Sequence, residues 1–143
     1  MVGRVLLINP ARHFIANKNG VGYLTPLGLV SIGGPLIDAG YTVNLIDHDA
    51  YGWSFKKLLI EVGKFQADYI LLGHSGSTAA HKTALQTIHE IKTTYPNIKI
   101  IYGGVYPSYA DQGIMRECSM SEYILPGGLG SFCANIQVPN RPV

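Results

Sequence analysis

"DYILLGHSGSTAAHKTALQTIHEIKTTYPNIKIIYGG" (68–104) holds a complete strand–helix–strand unit, and its reading decides the fold. The runs "DYILLG" (68–73) and "IKIIYG" (98–103) are nearly continuous in apolar residues rather than alternating. That is the pattern of parallel strands covered on both faces. Between them Ala80, Ala84, Leu85, Ile88 and Ile91 recur at helical spacing over about 79–95, and Pro96 supplies the stop. The unit is a right-handed βαβ crossover.

The same signature extends outward on both sides. "RVLLIN" (4–9) and "TVNLID" (42–47) are further strands, and "SEYIL" (121–125) is a weaker fifth. Ser54 caps "FKKLLIEVGKF", where Phe55, Leu58, Leu59 and Val62 fall on one helical face. A helix over 26–39 has Thr25 as its cap, Pro26 in its first turn and Gly40 as its stop. Gly33, Gly34 and Pro35 predict a kink or a break inside it. A short helix is expected over 109–117. Strands alternating with helices give an α/β fold, a doubly wound, five-stranded parallel sheet of flavodoxin-like (Rossmann-like) order 2-1-3-4-5. The domain is expected over 1–125, with 126–143 as an irregular C-terminal tail.

Composition narrows the function classes. The 143 residues are 47% hydrophobic and 14% charged, which suits one buried core and argues against disorder. The net charge of +2 is spread along the chain without a basic stripe, so nucleic acid is not an expected partner. No apolar run reaches the ~20 residues of a membrane span, and the N-terminal apolar stretch is too short for a signal peptide, so a cytoplasmic location is expected. Cys118 and Cys133 form neither a disulfide scaffold nor a metal knuckle, and they are too few for an iron–sulfur cluster.

In this sheet order ligands gather over the carboxyl ends of strands 1, 3 and 4. The loops there are long after strand 1 (Asn9 to Thr25), hydroxyl-rich after strand 3 ("HSGST", 74–78) and glycine-rich after strand 4 ("GGVYPS", 103–108). Neither G-x-G-x-x-G nor G-x-x-x-x-G-K-[ST] occurs, which disfavours a flavin or nucleotide phosphate site. A phosphorelay receiver would end strand 3 on a carboxylate, whereas this run ends in Gly73 and His74. Paired glycines where a strand meets solvent either turn the chain or let a bulky group approach its backbone.

Asn9-Pro10, "TPLGL" (25–29), "DAGYTVNLID" (38–47), "HSGST" and "IIYGGVYPS" occur in the order and spacing of one family. Over about residues 3–125 the chain resembles the cobalamin (vitamin B12)-binding domain of radical S-adenosylmethionine enzymes, the group of the anaerobic magnesium-protoporphyrin ester cyclase and many methyltransferases. The resemblance implies that Gly103 and Gly104 leave room for the nucleotide tail of cobalamin. Ser75, Ser77 or Thr78 would hydrogen-bond it. Asn9, Pro10, Gly76, Val105, Tyr106 and Pro107 complete the implied cofactor site. Tyr23, Tyr51, Tyr106 and Tyr109 are candidates to wall the corrin.

Two departures from related patterns bear on function. Mutases and methionine synthase carry D-x-H-x-x-G after strand 1, whose His ligates cobalt, and "NPARHF" lacks it. His13 and His74 are the secondary candidates for a cobalt ligand; "DHDAYG" (47–52) places Asp49 at the histidine position and follows the wrong strand. The C-x-x-x-C-x-x-C motif of a radical barrel is also missing. S-adenosylmethionine and the iron–sulfur cluster are therefore expected in a radical domain supplied in cis or in trans, and no catalytic residue is assigned here. The competing reading is a ligand-free, flavodoxin-like interaction module. It would fill the crevice that a cobalamin binder keeps open between Asn9, Ser75, Gly103 and Gly104.

Overall fold

Val5, Leu6, Leu7 and Ile8 are all buried, so side chains leaving both faces of this strand meet cover. The computed structural model describes residues 2–11, 25–74, 78–104 and 123–125. Within them the strands are β1 (Arg4–Asn9), β2 (Thr42–Asp47), β3 (Tyr69–His74), β4 (Lys99–Gly104) and β5 (Tyr123–Leu125). They form one five-stranded sheet of order β2-β1-β3-β4-β5. Every pairing in it is parallel, as the apolar runs required. Two strands start one residue later than the sequence suggests, at Tyr69 and Lys99, because the inter-strand ladder and not the apolar run sets the boundary.

Two apolar layers hold the sheet. On one face Leu6, Ile8, Leu72 and Tyr102 pack with Leu58 and Val62 of α3 (Phe55–Phe65) and with Ala84, Ile88 and Ile91 of α4 (Thr78–Thr94). On the other, Val5, Leu7, Leu71 and Ile101 pack with Leu29, Ile32 and Leu36 of α1 (Leu27–Asp38). Truncating one of these buried leucines to Ala would cost about 2–5 kcal/mol.

The helices follow their sequence signals with two corrections. Ser54 caps α3 as expected, its Oγ accepting from Lys57 N at 3.3 Å. Thr25 does not cap α1: the cap position is Pro26, and no side chain bonds there. The Pro26 carbonyl instead accepts from Leu29 N and Val30 N. Nor does α1 break at Pro35, since it runs on to Asp38. Leu29, Ile32 and Leu36 pin it to the sheet on either side of the missing donor, and Gly34 offers no Cβ to clash with the proline ring. Gly33 faces the sheet, where a Cβ would meet Leu7 Cδ1 at an ordinary contact distance of 3.5 Å, so the approach of the helix does not depend on the glycine.

No apolar periodicity announces α2 (His48–Tyr51), a single turn capped by Asp47 directly after β2. The helix expected over 109–117, the tail 126–143 and both cysteines lie outside the described residues. No helix among the described residues is long and apolar enough to cross a membrane.

Candidate functional site

Side chains alternate between the faces of a strand, so Asn9, Gly73 and Gly103 each fall on the α1 side, two positions beyond Leu7, Leu71 and Ile101. The register puts them in one row. Gly73 pairs with Gly103, and His74 with Gly104. Asn9 follows the Ile8–Leu72 pair and is itself opposite Asp47. Gly103 pairs onward with Leu125. The carboxyl edge of the sheet thus carries a buried amide beside two neighbouring strands that lack side chains at the same level, Gly73 and Gly103 both being buried.

The polar end of this row is built firmly. Asn9 Nδ2 donates to Asp47 Oδ1 at 2.9 Å, and both residues are 6% exposed. The same carboxylate oxygen accepts from Ala50 N at 3.1 Å, which closes α2. The next residue, His48, is fully buried and its Nε2 donates to the Trp53 carbonyl at 2.7 Å. One short segment therefore links the end of β1 to the start of α3. Tyr51 is exposed on it and stacks on Trp53, with ring centroids 4.5 Å apart. This candidate corrin wall follows β2 in the chain, on α2.

Of the residues the sequence nominated, Asn9 and Pro10 are buried at the end of β1. Gly103 and Gly104 close β4, His74 closes β3, and Thr78 opens α4. Ser75, Gly76, Ser77, Val105, Tyr106, Pro107 and His13 lie outside the described residues, as do Tyr23 and Tyr109. Of the four residues expected to bound the open cleft of a cobalamin binder, Asn9, Gly103 and Gly104 are described and Ser75 is not.

Sequence reasoning missed Gly73 and Asp47. The signal for Gly73 was present: "LLGH" and "IYGG" align once the two runs are set in parallel register. Asp47 could have been read as the cap of a turn but not as the partner of a residue 38 positions away.

Two groups with displaced titration lie away from this edge. Burial, then the neighbouring Tyr69, pushes the Tyr41 hydroxyl up at the start of β2. Hydrogen bonds from Lys57 and Lys64 hold Glu61 low in the middle of α3. A cleft of about 470 Å³ between Asp68, Asn97 and Lys99 opens at the opposite, amino edge of the sheet.

A family model described as the B12 binding domain matches residues 15–127. The chain belongs to the B12-binding domain family. This B12-binding domain is 36% identical over 124 residues to the anaerobic magnesium-protoporphyrin IX monomethyl ester cyclase of Synechocystis sp., which covers 87% of the chain and only 25% of the cyclase.

Among solved structures, the B12-binding domain resembles a CheY-like protein, tadZ, from Pseudomonas aeruginosa with a TM-score of 0.62 at 11% identity, covering 100% of this chain and 98% of that one. It also resembles the radical S-adenosylmethionine methyltransferase TsrM from Kitasatospora setae, with a TM-score of 0.56 at 20% identity over 76% of this chain and 20% of TsrM. These likenesses establish the flavodoxin-like fold. The receiver-like resemblance stops at the site, where β3 ends in Gly73-His74 instead of a carboxylate.

Proposed function

We propose that this B12-binding domain holds cobalamin over the carboxyl edge of the sheet, with the nucleotide tail set against the Asn9–Gly73–Gly103 row. The observation that carries the reading is the in-register Gly73–Gly103 pair beside the buried Asn9. Two neighbouring strands without a Cβ leave a strip of bare backbone, which suits a flat heterocycle lying against the sheet. The row thus fits the group that the family binds. Gly104, Ser75, Ser77 and Thr78 would border the tail, with Pro10, Gly76, Val105, Tyr106 and Pro107 from the adjoining loops.

When bound, cobalamin supplies methyl-group transfer or one-electron cobalt chemistry, and the protein's part is to place it. Asn9, fixed by Asp47, presents a rigid polar edge. The glycines give clearance, and the hydroxyl-rich loop after β3 offers hydrogen bonds. No residue of this chain is assigned a catalytic step.

The matched segment is a quarter of the cyclase and a fifth of TsrM, which supports a reading in which the chemistry on substrate would take place in a radical S-adenosylmethionine domain working with this one. S-adenosylmethionine and its iron–sulfur cluster would bind there.

The test is retention of hydroxocobalamin on gel filtration by the wild-type chain and by Gly103→Val. Wild type should carry the colour, and the variant should lose it while keeping its far-ultraviolet circular dichroism. Equal retention by both would remove the clearance argument.

A further inference from the structure

Behind the glycine row, on the α4 side of the sheet, lies a polar pair that the cofactor reading does not use. His81 is 7% exposed and Tyr102 is fully buried, within the layer otherwise made of Leu72, Ile88, Ile91 and Ile100. His81 Nδ1 and Tyr102 Oη are 3.0 Å apart, and the rings stack with centroids 5.9 Å apart at 12°. Packing alone would be served by hydrocarbon, because a buried hydroxyl and imidazole cost free energy unless they are bonded. What a directional bond adds is a fixed distance and orientation between two elements.

The elements it joins are the two that lead to the site. His81 is one turn into α4, directly after residues 75–77. Tyr102 is the last residue of β4 before Gly103 and Gly104, and it pairs with Leu72 just ahead of Gly73. Ala80 and Ala84 are fully buried, so this end of α4 lies close against the sheet.

We infer that His81 and Tyr102 are positioning residues: their hydrogen bond straps the start of α4 to the end of β4 and sets where Gly103 and Gly104 stand relative to α4 for the nucleotide tail. The inference rests on the cofactor reading and adds to it the device that holds the tail site in shape.

Cobinamide, which keeps the corrin but lacks the nucleotide tail, separates the strap from general loosening. Dissociation constants for cobalamin and cobinamide are measured by visible absorption on the full chain. Tyr102→Phe keeps the ring and removes the bond. It should weaken cobalamin on the order of tenfold, as loss of one well-placed hydrogen bond does, and leave cobinamide unchanged.

His81→Asn places an amide near the old Nδ1 position and should retain most cobalamin affinity, whereas His81→Leu should lose it as Tyr102→Phe does. These two decide the matter if Tyr102→Phe does not fold. Equal weakening of both corrinoids, or none in either, overturns the strap. Failure of the wild-type chain to bind cobalamin overturns the cofactor reading, and the strap with it.

Discussion

Asn9 shows how one buried amide is made affordable and useful at once. Its bond to Asp47 satisfies two polar groups and ties the end of β1 to the end of β2. Asn9→Ala should lower stability by about 1–2 kcal/mol in urea denaturation, since it removes a hydrogen bond between two buried polar groups. A midpoint equal to wild type would mean that the bond is incidental.

The glycines make the opposite prediction. Valine is a good strand former, so Gly73→Val should fold and yet lose cobalamin; unchanged binding would show that the tail lies elsewhere. Ser75→Ala should weaken binding by ~1 kcal/mol, roughly fivefold, if its hydroxyl meets the tail. Asn9 and the double glycine were legible in the sequence because each stands at the end of an apolar run. Asp47 was not, because cross-strand partners follow from the register.

At the scale of elements, packing decided where local signals disagreed. Pro35 argued for a broken α1, and the buried Leu29, Ile32 and Leu36 outweighed it. Conversely, α2 is one turn long with no apolar periodicity to reveal it. Gly63 in α3 presents a similar contest. Alanine there should gain about 1 kcal/mol of helix propensity. Its Cβ, however, would run into the Tyr95 hydroxyl, which is held by donating to the Leu59 carbonyl at 2.9 Å.

Gly63→Ala should therefore lower the melting temperature in wild type and raise it, or leave it level, in a Tyr95→Phe background. The same drop in both backgrounds would contradict a clash with the hydroxyl. On the solvent face of α3, Lys57 and Lys64 hold Glu61 below its usual range, so their small stabilisation is present at neutral pH and lost as pH falls through the lowered value. Glu61→Gln should remove that acid dependence, and salt should blunt it in wild type.

At the scale of the molecule, the sheet order was readable from the alternation of apolar runs with helical spacing, because parallel strands buried on both faces leave few other arrangements. The order in turn places strands 1 and 3 side by side and so locates the edge where a ligand sits. Which ligand was legible only through joint motifs, since a CheY-like protein shares the whole architecture.

The most direct measurement is a visible absorption titration of the purified chain with methylcobalamin, followed by gel filtration. Coelution of colour and protein, with the base-off spectrum of a cofactor whose tail has left the cobalt, is the predicted result. A folded chain that elutes colourless while methylcobalamin runs separately would contradict it.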